Sequence, residues 1–284
     1  MATRNTPPNQ CSKPTGLLGR FTLWRMNSGH SKLTDWGLEH VSIENHHTIL
    51  DVGCGGGRTV SKLAAIATQG KVHGVDYSEE SVAATKRTNA QWIDSGRVEV
   101  RHGSVSQLPF PDGMFDLVTA VETHFWWPNL PGDMRELFRV MKPAGSLALI
   151  AEVYKGANTS VSKLAEKYAS RTGMMLLSAD EHRELFTTAG FSNVQVVEER
   201  RKGWICAMGT KTRFQFLIGY RGRTEVNATE GDIMVTPASR RGDQSSPTKY
   251  RAFELVSVIV SVVVPVVATR SHRMFRDVIR HCCA

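Results

Sequence analysis

A chain of 284 residues with 41% hydrophobic content can bury a core and holds one large domain, or one ordinary domain with additions. Its formal charge of +8 sits at the ends: residues 1–30 carry four basic side chains and no acid, residues 211–284 twelve basic and six acidic, and residues 31–210 nineteen basic and twenty-one acidic. A centre without a basic stripe argues against a nucleic-acid partner, and five cysteines (Cys11, Cys54, Cys206, Cys282 and Cys283) make neither a disulfide framework nor a metal-ligand pattern.

The N-terminus is polar, with no apolar run of the secretory kind, so a reduced, cytoplasmic setting is expected. Residues 1–30 read as a mobile segment and lid, rich in Pro, Asn and Gly at the start. "SKLTDWGLEHV" (31–41) places Leu33, Trp36, Gly37 and His40 or Val41 on one helical face, with Ser31 as N-cap. Strands and helices then alternate. "TILDV" reads as a strand, "RTVSKLAAIATQG" as a helix ending at Gly70, and "KVHGV" as the next strand. "SEESVAATKRTNAQWIDSG" is a helix capped by Ser78, with two acids in its first turn and Gly96 as its stop.

"RVEVRHG" and "DLVTAV" are the third and fourth strands. "PGDMRELFRVMKPAG" is a helix closed by Pro143 and Gly145, and "SLALIAEVY" a fifth strand. "SADEHRELFTTAG" opens with a capping box, Ser178 and Glu181. "NVQVVEE" and "WICAMGT" follow, separated by only Arg200 to Gly203. So short a link makes this pair antiparallel, because a parallel crossover needs a dozen residues or more. The pattern specifies a doubly wound α/β fold: a seven-stranded sheet, parallel except for the last strand, with helices on both faces.

In such sheets ligands bind at the carboxyl ends of the strands, where the strand order reverses. There the chain has "ILDVGCGGGRTV" (49–60). The dinucleotide fingerprint G-x-G-x-x-G fails at Arg58, whereas Asp51, Gly53, Gly55 and Gly57 keep an alternate spacing. An acid two residues before the first glycine suits an ammonium group better than a pyrophosphate. S-adenosylmethionine (SAM) has an amino group, a carboxylate and a sulfonium, and no phosphate. Asp76, at the tip of the second strand, can accept both ribose hydroxyls, and Tyr77 can flank the adenine.

"LDVGCGGG", "GVDYS", "LPFPDGMFDLV" and "FRVMKPAGSLALIAE" together resemble the class I SAM-dependent methyltransferases, within them the group of ubiquinone and menaquinone C-methyltransferases that carry a methyltransferase type 11 domain. The resemblance is strong over about 45–155 and continues by topology to 210. It implies a Rossmann-like methyltransferase domain over 31–211 with a lid helix. SAM would be the cofactor, held by Asp51, Gly53, Cys54, Gly55, Gly57, Asp76, Tyr77, Ser104, Val105, Glu122 and Thr123. Where the family usually has Asp followed by a small apolar residue, this chain has Ser104–Val105. A neutral acceptor is worth on the order of 1 kcal/mol against about twice that for a charged one, so a weaker hold on the adenine is expected. Cys54 reads as a small side chain that fits the turn.

"ETHFWWPN" (122–129) lacks the Asn/Asp-Pro-Pro-aromatic signature of enzymes that methylate nucleic-acid amines. Phe125 and Trp126 are expected to line a pocket for a small, apolar or aromatic acceptor, and Trp127 to line it or pack beneath the next helix. His124 is a candidate general base, set against an ordinary loop histidine. His30, with Met26 and Asn27, belongs either to the lid over the pocket or to a helix-entry loop. No metal site is expected. Two other readings stay open: a SAM-binding sensor or partner subunit without turnover, and an NAD(P)-dependent oxidoreductase, which Arg58 and Asp51 disfavour. Residues 212–284 lack sustained periodicity and read as an atypical tail, disordered or foreign to the domain. Its apolar stretch 255–268 is fourteen residues, short of the roughly 20 needed to span a bilayer, which leaves at most interfacial contact with a membrane.

Overall fold

The computed structural model describes residues 30–212 without a break, Lys13, Thr15, Gly16, Gly19 and Leu23 before them, and three short strands after them. The order is α1 (Ser31–Leu38), β1 (Thr48–Val52), α2 (Arg58–Ile66), β2 (Lys71–Asp76), α3 (Glu79–Thr88), α4 (Ala90–Asp94), β3 (Val98–His102) and β4 (Phe115–Val121). Then come α5 (Leu130–Val140), β5 (Met141–Ala151), α6 (Ser160–Thr172), α7 (Ala179–Thr188), β6 (Phe191–Glu199) and β7 (Trp204–Lys211). The seven strands form one sheet in the order β3-β2-β1-β4-β5-β7-β6. β7 lies antiparallel between β5 and β6, as the short link before it requires; β1 to β5 run parallel.

Both faces of the sheet are covered, so the central strands are apolar at consecutive positions. Successive side chains feed opposite cores. Leu50, Val118 and Leu149 pack with Leu130, Met134 and Leu137 of α5 and Phe186 of α7. Their neighbours Ile49, Leu117 and Ile150 pack with Leu33 of α1, Val60 and Leu63 of α2, and Val82 of α3. Each fully buried aliphatic of this kind contributes about 1.5–3 kcal/mol.

Several boundaries differ from the sequence reading. Ser31 is not the cap of α1: His30 holds that position and its side chain makes no capping bond. The Ser31 hydroxyl instead accepts from Lys62 Nζ at 3.1 Å. α2 stops at Ile66. The long helix expected from Ser78 to Gly96 divides at Asn89, with Ser78 capping it as expected. α5 passes straight into β5 at Met141, so Pro143 and Gly145 lie within the strand, where its pairing with β4 is irregular between Phe115 and Leu117. α6 was not foreseen. Its signals are Thr159 as N-cap, Val161 and Ala165 one turn apart on a buried face, and Gly173 in the left-handed conformation at its end. The capping box of α7 is present, with Ser178 and Glu181 satisfying each other's backbone N–H.

Residues 214–266 form a separate unit. Within it β8 (Glu225–Thr229), β9 (Asp232–Thr236) and β10 (Thr248–Arg251) make an antiparallel sheet with β9 in the middle. The apolar stretch 255–268 lies outside the described residues, as do Met26 and Asn27. Among the described residues no helix is long and apolar enough to cross a membrane.

The break at Asn89 has a purpose in the packing. Its fully buried side chain donates through Nδ2 to the carbonyls of Gly57 and Thr85, both at 3.0 Å. Asn89→Ala leaves both without that donor, and the loss is expected at about 1–3 kcal/mol in urea unfolding. A variant within about 0.5 kcal/mol of the wild type, as for an ordinary surface substitution, contradicts this role.

Candidate functional site

β2 and β3 lie on one side of β1, and β4 lies on the other, so the turns after β1 and β4 diverge and open a crevice at the carboxyl ends. A cavity of about 310 Å³ occupies it, within the size range of small-molecule sites. Its wall brings together Gly53, Cys54, Gly55, Asp76, Tyr77, Ser104, Val105, Glu122, Thr123, His30 and Trp126 from distant parts of the chain.

The floor is the glycine turn. Gly53 adopts φ +75° and a Cβ there would fall inside the Thr123 side chain, so only glycine fits between the turns after β1 and β4. Thr123 Oγ1 in turn donates to the Val52 carbonyl at 3.2 Å. The N–H groups of Gly53 and Cys54 both donate to the Val75 carbonyl, at 2.8 and 3.1 Å. Gly57, the N-cap of α2, has φ +84° and abuts Thr85 and Asn89. From α3, Thr85 Oγ1 donates to the Gly55 carbonyl at 2.9 Å and Thr88 Oγ1 to that of Gly56 at 2.8 Å. The Cys54 side chain is buried against Gly74, as a small filler of the turn should be.

Asp76 links this floor to the ligand side. Its Oδ2 accepts the Gly55 N–H and its Oδ1 the Ser78 N–H, both at 2.9 Å. Tyr77 beside it is 41% exposed. The Ser104 hydroxyl accepts the Ser106 N–H at 3.2 Å, in a turn closed by the Gln107 N–H on the Ser104 carbonyl. Across the cavity, Glu122 sits in the left-handed region at φ +61°, a conformation that costs a non-glycine residue about 1–3 kcal/mol. Its N–H donates to the Ile150 carbonyl at 2.9 Å, and its Oε1 accepts the Glu152 N–H.

Residues 50–149 match the family described as "Methyltransferase domain". The chain is 29% identical over 152 residues to O-methyltransferase cnsE of Penicillium expansum, covering 54% of each chain. It is 35% identical over 135 residues to the demethylmenaquinone methyltransferase of Listeria welshimeri, covering 44% of this chain and 56% of that one. It thus spans about half the length of the curated relatives it matches. The crystal structure of a SAM-dependent methyltransferase from Aquifex aeolicus shares the fold, with TM-score 0.56 at 21% identity over 67% of this chain and 97% of that one. These matches place a methyltransferase domain in the chain and give it the fold of SAM-dependent methyltransferases.

Four predicted residues are absent from the wall of the cavity. Asp51 lies beneath the turn, 2% exposed, accepting from Thr119 Oγ1 at 2.8 Å on the adjacent strand. Gly57 shapes the turn from behind, as the residue that starts α2. Phe125 is turned into a cluster with Tyr154 and Ile205, because the short 3₁₀ turn His124–Trp126 points successive side chains in different directions. His124 is no loop histidine either: it is 2% exposed with its Nε2 3.2 Å from that of His182, and burial holds its pKa well below the usual range. It does not reach the cavity wall, where a general base would have to act. Trp127 does both things foreseen for it, being buried in the core and lining the cavity.

Sequence reasoning missed Thr85, Thr88 and Asn89, which brace the turn, although their spacing on one helical face was visible. It also missed Leu23 and Arg58 as wall residues, and Glu152 beside Glu122.

Burial raises the Asp51 carboxyl to about 7, with Asp76 adding to the effect against the Thr119 hydrogen bond. It raises Glu122 to about 8, helped by the neighbouring Glu152 charge, and Glu152 to about 7. Burial also pulls His30 and His73 down to about 4. In the unfolded chain the carboxyls have released their protons above about pH 4.5. As pH falls from 8 to 6.5 the folded state alone takes up protons, so stability rises by about 1–3 kcal/mol. Below about 6.5 histidines of the unfolded chain take up protons that buried His30 and His73 refuse, and the gain is offset. Urea unfolding of the ligand-free protein across this range checks it. A flat profile from pH 8 to 6.5, or one that Glu122→Gln leaves unchanged, contradicts the assignment.

Proposed function

We propose that the protein transfers the methyl group of SAM to a small, apolar or aromatic acceptor. The observation that carries this reading is the pair of carboxylates, Asp76 and Glu122, on the wall of a cavity floored by backbone rather than by lysines. Among the described residues the one Lys or Arg side chain there, Arg58, directs Nη1 to the Ser31 hydroxyl at 3.3 Å. Carboxyls that burial keeps protonated ionise beside a cation, so such a wall suits a ligand bearing an ammonium and a sulfonium better than a pyrophosphate, which disfavours a dinucleotide.

In this reading Asp76 accepts the ribose hydroxyls, Tyr77 and Val105 flank the adenine, and Ser104 meets its amine. The glycine turn lies along the methionine part, with Glu122 and Thr123 towards the reacting end. Asp51 contributes its charge from beneath the turn. Trp126 and Trp127 line the acceptor side, where aromatic faces also favour a sulfonium. The acceptor atom attacks the methyl carbon opposite the sulfur. The carbon–sulfur bond pair would stay on sulfur, a proton carried by the acceptor atom would pass to water, and S-adenosylhomocysteine would leave. Because SAM is already activated, holding the two reactants in line supplies most of the rate. The names of the fungal and bacterial relatives, an O-methyltransferase and a demethylmenaquinone methyltransferase, support a small acceptor. We place the domain at residues 31–211, ending where β7 completes the sheet, and the protein in the cytoplasm.

Calorimetric titration with S-adenosylhomocysteine and with NADH tests the cofactor, and S-adenosylhomocysteine release across a panel of small acceptors tests turnover. The thioether is expected to bind and NADH not to. Asp76→Asn weakens binding roughly tenfold to a hundredfold, the worth of a hydrogen bond to a charged acceptor, about 1.5–3 kcal/mol. Ser104→Asp tightens it. NADH binding, or full affinity in Asp76→Asn, overturns the cofactor assignment; cofactor binding with no product for any acceptor favours a non-catalytic SAM-binding protein.

A further inference from the structure

Three residues at the far edge of the cavity come from separate parts of the chain: His30 before α1, Glu122 after β4 and Glu152 after β5. One ligand atom from each lies within 4.8 Å of the other two. His30 Nε2 is 3.6 Å from Glu152 Oε2. Two ligands each about 2.1 Å from a common ion, at a tetrahedral angle, stand about 3.4 Å apart, close to this separation, which is longer than a direct hydrogen bond.

We propose that His30, Glu122 and Glu152 bind a divalent metal ion. The donor set, one imidazole and two carboxylates, suits Mn²⁺, Fe²⁺, Co²⁺ or Zn²⁺. The Glu152 N–H fixes one oxygen of Glu122 and leaves the other without a hydrogen bond among the described residues. No lysine or arginine among the described residues forms an ion pair with either carboxylate, so a bound cation would relieve the repulsion that the empty site meets by holding protons.

His30 and Glu122 line the cavity, whereas Glu152 stands behind them. Three protein ligands leave at least one position open, and it faces the cavity, the arrangement of a site that takes a ligand rather than one that only braces the fold. The open position takes a hydroxyl, enol or carboxylate oxygen of the acceptor. This use of the ion rests on the proposed methyl transfer; the binding of the ion does not.

The test uses the full chain, stripped with a chelator and dialysed. It is titrated with Mn²⁺ alone, which thiolates such as those of Cys282 and Cys283 bind poorly, and then with Co²⁺, whose visible spectrum reports a coordinating imidazole. One ion per chain is expected, with affinity lower by at least about tenfold in Glu152→Gln and in His30→Ala. His30→Ala is the safer variant for folding, since the His30 side chain makes no capping bond, and circular dichroism checks both. Binding of neither ion, or equal binding by wild type and folded variants, overturns the site. S-adenosylhomocysteine titrated into the same samples separates the two readings. Cofactor binding without metal binding defeats only the metal site, and metal binding without cofactor binding defeats only the proposed function.

Discussion

The turn from Gly53 to Gly57 has one side chain beyond glycine with which to anchor itself, Cys54, yet it must hold an open, partly left-handed course. Its shape is therefore imposed from outside. Three side chains of a neighbouring helical segment, Thr85, Thr88 and Asn89, hold the carbonyls of Gly55, Gly56 and Gly57. The Asp76 carboxylate holds the Gly55 N–H from the side. The cavity exists because these bonds keep the backbone spread where a turn of glycines would otherwise collapse or fluctuate. Asp76 thus serves two ends, since the oxygens that brace the turn also face the ligand.

The architecture was legible because it is written in repeated local signals. Alternating strands and helices, the Ser78 cap, the capping box at Ser178 and the four-residue link before β7 each determine one feature, and together they specify the sheet and its reversed strand. Boundaries were less legible where a tertiary contact overrides local propensity. Asn89 interrupts a good helical sequence because its amide is needed at the turn. Met141 enters the sheet because Phe115 of β4 offers a pairing partner that no local pattern reveals, and Lys142 to Gly145 form an irregularity before pairing resumes at Ser146.

Within the site, residues that act through the backbone or lie at a strand tip were readable, Gly53, Gly55 and Asp76 from spacing and Glu122 from the family resemblance, and all four reach the wall. Side chains in the short turn after β4 were not, because a 3₁₀ turn rotates by about 120° per residue and the sequence does not say where it starts. One step in register sends His124 to His182 and Phe125 into the core while leaving Trp126 on the wall. The grouping of His30, Glu122 and Glu152 was invisible for a different reason. Its members are far apart in sequence, and only the side-by-side exit of β4 and β5 brings the two carboxylates together. Their burial against each other, at the edge of a cavity already lined by Asp76, makes this an electrostatically demanding corner of the domain.

The central claim is that this cavity receives SAM with its ribose at the tip of β2 and its methionine end under the turn after β4. A crystal structure with S-adenosylhomocysteine tests that placement most directly. The account predicts the ribose hydroxyls on the Asp76 carboxylate, the adenine between Tyr77 and Val105, and the sulfur directed to the space between Glu122 and Trp126. A ligand whose ribose lies away from Asp76, or whose sulfur faces away from Glu122 and Trp126, would contradict it.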